Sequence, residues 1–267
     1  MRVVRSKKAF ATPVSLTFLL FSFTILTVAT YYFAVSSVNN RVGRLNYAAT
    51  KQDMLMLENH ISSIAWSPGS SVIQTFQGYG KEFETKPSLR HLVINVTLGS
   101  TSDVVFNSTI GYVRYEAPAA DRGEVGEYLK GDDEQVINRS FSSMAQMYIR
   151  INGDDHEIYL GYRPLAVSFL DTSETDTVNV VRIFILNLNS SESLLFTGSF
   201  RLRIRCVNVT SETWNYNLTG QVDFAKVKAT VEGDEGTVYL PLSSNGSYTL
   251  VRLEVLVCNV RLEEVTL

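Results

Sequence analysis

The hydrophobic pattern of the chain changes character near Pro68. From Ala9 to Asn40 no charged residue occurs, and the stretch carries Leu16, Phe18, Leu19, Leu20, Phe21, Phe23, Ile25, Leu26, Val28 and Phe33. At about 1.5 Å per residue, roughly 20 helical residues cross a hydrocarbon layer of about 30 Å, so this run is longer than a crossing needs. From Val35 to Ala65 there is no Pro, and Gly43 is the only Gly. Apolar residues recur at Val35, Val38, Val42, Leu45 and Ala49, then at Met54, Leu57, Ile61 and Ile64. These are helical spacings with a phase slip near Gln52-Asp53. Ser67-Pro68-Gly69 supplies a stop. The pattern predicts one helix over 10–66, its first half suited to lipid and its second half amphipathic.

Beyond Pro68 the period becomes two. Leu92, Ile94, Val96 and Leu98 alternate with Val93, Asn95 and Thr97, and Phe200, Leu202, Ile204 and Cys206 with Arg201, Arg203 and Arg205. Val251, Leu253, Val255 and Val257 alternate with Arg252, Glu254 and Leu256. Each run reads as a strand with one covered and one wetter face. Turn signals stand at Asn152-Gly153, Gly233-Asp234-Glu235-Gly236 and Asn245-Gly246. Repeated short strands without intervening helices predict an antiparallel β-sandwich over 70–267, as one domain or as two small sandwiches with a boundary near 116–134. The fold class is therefore mainly β with one long N-terminal α-helix.

Charge adds an orientation and removes some functions. Arg2, Arg5, Lys7 and Lys8 precede the apolar run. Held in the cytoplasm, they place the C-terminal part outside. A cleaved secretory signal has an apolar core of only about 7–15 residues and a small-residue exit site, and neither fits this run. The Tyr31-Tyr32 pair suits the outer interface, where amphipathic rings settle. A net charge of −3, from 24 basic and 27 acidic residues, argues against nucleic acid as a partner. Three His and two Cys are too few for a zinc finger or an iron–sulfur site.

Lys8-Ala9-Phe10-Ala11, flanked by Arg5 and Lys7 and followed by the apolar run, resembles the class III signal of archaeal type IV pilin-like proteins. In that family a membrane aspartyl peptidase cuts on the cytoplasmic side, after a small residue that follows Lys or Arg. The resemblance implies that Lys8 is the charged residue, Ala9 the residue at the cut and Phe10 the new N-terminus. Residues 1–9 would then be a leader, and the apolar helix would stay with the mature protein. Pro13 is also similar to archaeal pilins, whereas Val14 stands where bacterial pilins place a glutamate. The likeness covers residues 5–65. It implies a structural or adhesive surface protein that is anchored in the bilayer or polymerised with its own copies or other pilin-like subunits. The alternative is an unprocessed single-pass glycoprotein whose β domain binds a ligand or the cell-wall lattice.

Seven Asn-x-Ser/Thr triplets follow the apolar run, at Asn95, Asn107, Asn138, Asn189, Asn208, Asn217 and Asn245, and mark sugar-acceptor candidates on an external surface. Cys206 and Cys258 lie on strands, where they are either a disulfide or two buried thiols. His60 reads as lying on an exposed helix face beside Asn59 and Glu58, His91 as opening a strand and His156 as part of the Asn152–Glu157 turn, and none is spaced as a metal ligand. The acidic sets Asp154, Asp155, Glu157 and Asp132, Asp133, Glu134 lack calcium-loop spacing and read as solvated turns. The Arg201, Arg203, Arg205 stripe reads as one strand face paired with neighbours such as Glu254. With no nucleophile elbow or phosphate-cradling loop, the expectation is a non-enzyme without cofactor or metal.

Overall fold

The computed structural model describes residues 11–118, 126–132, 136–138, 144–153, 155–172, 177–244 and 246–265. Helix α1 (Ala11–Ile64) is followed by thirteen strands among the described residues: β1 (Ser71–Phe76), β2 (Glu82–Leu98), β3 (Thr101–Ala117), β4 (Tyr128–Lys130), β5 (Ala145–Asn152), β6 (Asp155–Tyr162), β7 (Leu165–Thr172), β8 (Thr177–Asn187), β9 (Leu195–Phe196), β10 (Phe200–Thr219), β11 (Phe224–Val231), β12 (Asp234–Pro241) and β13 (Tyr248–Glu264). The chain divides into two compact units, residues 1–45 and residues 46–267.

Two sheets build the second unit. One runs β1-β10-β13-β8-β7, and the other β12-β11-β2-β3-β6-β5-β4, with β9 added to β2. All pairs are antiparallel except β8 with β13, which makes the first sheet mixed. That pair sits at the sheet centre and is apolar along much of its length, as a strand covered on both faces must be.

Alternation decides where the cores lie. On β13, Val251, Leu253 and Val255 belong to one apolar cluster, while Cys258, Val260 and Leu262 belong to another. Odd and even residues of a strand point to opposite faces, and the β13–β8 register has no slip. The two cores therefore lie on opposite faces of the same sheet. Strand β8 repeats the switch, with Val181, Ile183 and Ile185 in the first cluster and Leu186 in the second. Strand β10 needs a bulge between Cys206 and Asn208. One extra residue exchanges the faces, so Leu202, Ile204 and Cys206 fill one core while Trp214, Tyr216 and Leu218 pack against the other.

Residues 46–64 of α1 belong to this unit. Tyr47, Thr50, Met54, Leu57, Ile61 and Ile64 are buried, at steps of three and four that keep one seam over five turns. Burying each large apolar side chain stabilises by roughly 1.5–3 kcal/mol. The seam corrects the sequence reading. Leu45 is 69% exposed, and the buried line continues back through Thr50 and Tyr47 instead, which removes the expected phase slip at Gln52-Asp53.

Polar contacts fix the same segment. Glu58, expected on the wet face, is 1% exposed. It pairs with Lys130 of β4 and accepts a hydrogen bond of 2.6 Å from Ser62 Oγ. Gln74 of β1 donates to the Asp53 carbonyl at 2.8 Å and meets His60 at 3.2 Å. Past the helix, Trp66 takes a left-handed backbone with φ of 67°. Its N–H donates to Cys258 Sγ at 3.4 Å, and its indole meets the Phe184 ring edge-on at 5.3 Å.

Turns follow the expected chemistry with one shift. The β11–β12 hairpin turns on Glu232 and Gly233, both at positive φ, so Asp234, Glu235 and Gly236 already belong to β12. Two central residues at φ > 0 match the twist of the flanking strands. The Asn152-Gly153 turn joins β5 to β6 as expected.

Candidate functional site

In the first unit, residues 14–45 of α1 present their apolar side chains outward: Phe18, Leu19, Phe23 and Leu26 are 66–68% exposed, and Tyr31, Tyr32 and Phe33 71–75%. Three hydroxyls inside the run are served by the helix itself. The hydroxyls of Thr24, Thr27 and Thr30 donate to the carbonyls of Leu20, Phe23 and Leu26 at 2.7–2.8 Å. Hydrocarbon offers no hydrogen bonds, so a lipid-facing helix must satisfy such groups internally. This helix is long and apolar enough to cross a membrane. Lys8, Ala9 and Phe10 lie outside the described residues.

In the second unit, the outer face of the larger sheet carries an aromatic ladder that the sequence reading did not anticipate. Tyr112, Tyr159, Tyr148 and Tyr128 stand on four successive strands, β3, β6, β5 and β4. Their ring centroids are 5.7, 5.4 and 5.6 Å apart, and the central pair is stacked within 9°. Arginines lie on the ladder. Arg90 stacks over Tyr112 at 4.7 Å and donates to Tyr148 Oη at 3.2 Å. Arg150 lies 5.4 and 5.5 Å from the Tyr148 and Tyr159 ring centres. Such cation–ring contacts contribute about 0.5–1 kcal/mol at exposed sites.

Glu157 organises the inner end of this face. Its carboxylate accepts hydrogen bonds from Arg114 at 2.7 Å, Tyr159 Oη at 2.7 Å and Asn152 at 3.2 Å. Burial pushes the carboxyl up, but those three donors outweigh it and hold it below its ordinary value. Burial and the facing Glu157 carboxylate push the Tyr159 phenol well above its ordinary range. Glu82 and Glu84 flank Arg114 from β2, completing a charge cluster across three strands.

Beside the ladder opens a cleft of about 680 Å³. One wall is Tyr128, Gln146, Tyr148 and Arg150 from β4 and β5; the other is the β11–β12 turn with Glu232, Asp234 and Glu235. Arg90 bridges the walls, facing Glu232 at 3.9 Å. Gly161 of β6 lies beside Arg90 and Tyr112, where a Cβ would stand in ordinary contact 3.8 Å from Arg90 Nη1 and 3.9 Å from Tyr112 Cβ. The missed signal is modest: Tyr148 and Arg150 sit two apart on one strand, as do Glu157 and Tyr159 on the next. Only the pairing of Tyr148 with Tyr159 and with Tyr128 joins them into a ladder.

The sequence-derived sites disperse. Of the acceptor asparagines, Asn107, Asn208 and Asn217 are exposed, Asn95, Asn138 and Asn189 half-buried, and Asn245 lies outside the described residues. Cys206 and Cys258 are buried as free thiols on adjacent strands β10 and β13, with sulfurs 3.7 Å apart. Burial, with Cys206 alongside, pushes the Cys258 thiol up to about 12. His156, expected in a turn, lies in β6 and is 3% exposed, its ring edge-on to Tyr47 at 5.3 Å. Arg203 pairs with Glu263 at 3.2 Å rather than with Glu254, because the register sets Glu263 across from it. Glu254 is held by Arg182 of the parallel neighbour at 2.6 Å. Of the acidic sets, Asp132 is engaged by Arg163 and Glu157 by Arg114. Asp133, Glu134 and Asp154 lie outside the described residues, and no metal-holding group occurs among those described.

These features define a class: a mainly β chain carrying an N-terminal helix that can cross a membrane. No family model matches it, and neither do curated proteins or solved structures.

Proposed function

We propose that this chain is a pilin-like cell-surface protein with structural or adhesive work. The helix anchors it in the bilayer or joins it to copies of itself or other pilin-like subunits, and the β domain lies outside the cell. The observation that carries the reading is the composition of α1: an uncharged apolar stretch with outward side chains, followed within one helix by a seam belonging to the β core. Apolar side chains are equally well served by lipid and by neighbouring apolar helices, so transfer between the two need not expose them to water. Such work needs no catalytic residue, and the reading includes no enzymatic step and no cofactor.

On this reading a membrane aspartyl peptidase recognises Lys8-Ala9-Phe10, the basic leader stays cytoplasmic, and the acceptor asparagines carry sugars. Sequencing the N-terminus of the mature protein tests it. Phe10 is the expected first residue, and recovery of Met1 or Arg2 from membrane-inserted protein would remove the pilin reading. It would leave a single-pass glycoprotein, which the cleft beside the tyrosine ladder favours as a ligand-binding alternative.

A further inference from the structure

We infer that the cleft between the tyrosine ladder and the β11–β12 turn binds a neutral oligosaccharide. The inference rests on the adhesive part of the proposed function and is independent of processing and of filament formation. Size is the first argument. At about 680 Å³ the cleft falls within the roughly 300–1,000 Å³ of small-molecule sites.

Chemistry is the second argument. Two arginines, Arg90 and Arg150, line the cleft together with three carboxylates, those of Glu232, Asp234 and Glu235. Arg90 faces Glu232, Lys228 pairs with Glu235 at 2.7 Å, and the Gln146 amide donates to the Asp132 carbonyl at 2.9 Å. A polyanion meets the carboxylates, a basic peptide meets the guanidinium groups, and an apolar ligand leaves all of them unsolvated. A sugar suits the mixture, because each hydroxyl both donates and accepts. A pair of neighbouring hydroxyls spans the two oxygens of a carboxylate or the fork of an arginine. Tyr128 and Tyr148 add rings on the same wall, against which the C–H surface of a sugar can pack while their phenols hydrogen-bond.

Preorganisation is the third argument. Arg90 is held by Tyr112, Tyr148 and Glu232, so little side-chain freedom remains to be lost on binding. Glu157, the residue across from Arg150, is taken by Arg114, while Arg150 stays exposed above the ladder. Its guanidinium therefore faces outward with donors to offer.

The test uses the full chain in detergent micelles against immobilised neutral oligosaccharides, with heparin and oligolysine as polyanionic and polycationic probes. The expected result is saturable binding of at least one neutral oligosaccharide, weakened about tenfold or more by Tyr148→Ala and by Arg150→Ala. Tyr239→Ala, on exposed β12 surface outside the cleft lining, leaves it unchanged. Glu235→Gln, at a half-exposed position on the opposite wall, guards against misfolding of the ladder variants and also weakens binding. Absence of binding to every neutral probe, capture of heparin or oligolysine alone, or binding at the wild-type level by both Arg150→Ala and Glu235→Gln would overturn the assignment. A mature N-terminus at Met1 would not touch it, and failure here would leave the processing reading intact.

Discussion

Replacing Leu57 by Ala tests how residues 46–64 of α1 are built into the β unit. Leu57 is fully buried in the seam, between Met54 and Ile61, in a core that also holds Leu202, Ile204 and Val260 of the mixed sheet and Val113 and Leu160 of the larger one. Truncation removes three carbons and leaves a void walled by a helix and sheets that cannot close freely. Leu→Ala changes in such sites cost about 2–5 kcal/mol, and restricted collapse places this one near 3–4 kcal/mol. For a unit of this size, 1 kcal/mol shifts Tm by about 2–4 °C, so a fall of about 10 °C is expected.

The assay is thermal and guanidinium unfolding of the full chain in micelles, followed by tryptophan fluorescence. Both tryptophans, Trp66 and Trp214, lie in the second unit, so the signal reports that unit. Leu26→Ala is the control, since Leu26 is 66% exposed in the first unit. Its effect on this transition should stay within about 0.5 kcal/mol. A Leu57→Ala effect below 1 kcal/mol, or an equal loss from Leu26→Ala, would refute the seam argument.

Other expectations follow from single side chains. Glu157 has its folded pKa held below the ordinary value, so its contribution to stability is present above the unfolded carboxylate pKa and fades as pH falls through the folded one. The stability gap between wild type and Glu157→Gln should therefore shrink as unfolding is repeated from pH 7 down to pH 3, and a gap that grows would contradict the donor assignment. Cys258, with its thiol pushed up to about 12, and the fully buried Cys206 should resist alkylation at pH 8 until the chain unfolds. Mass spectrometry showing labelling of the native protein would contradict their burial.

Much of the architecture is local in origin and could be read along the chain. An uncharged run with helical content, a stop at Ser67-Pro68-Gly69 and runs of period two each depend on neighbours within a few residues. They suffice for a membrane-capable helix ahead of a mainly β unit. Alternation also indicates which residues of β13 are inward, although not that inward means opposite faces for Val255 and Cys258. That depends on two different cores approaching one sheet.

The remaining features are non-local. Glu58 looked solvated until Lys130, 72 positions on, was brought against it. Charge pairs on β10 and β13 depend on a register that a single bulge resets, so the partner of Arg203 follows from pairing and not from spacing. The tyrosine ladder draws on four strands, and its rings meet only because those strands became neighbours. Periodicity along one segment sets which face a side chain takes, because side-chain direction is a property of the local backbone. Which distant side chain it then meets is set by strand order and register, where many pairings share the same alternation and burial of the whole core selects one.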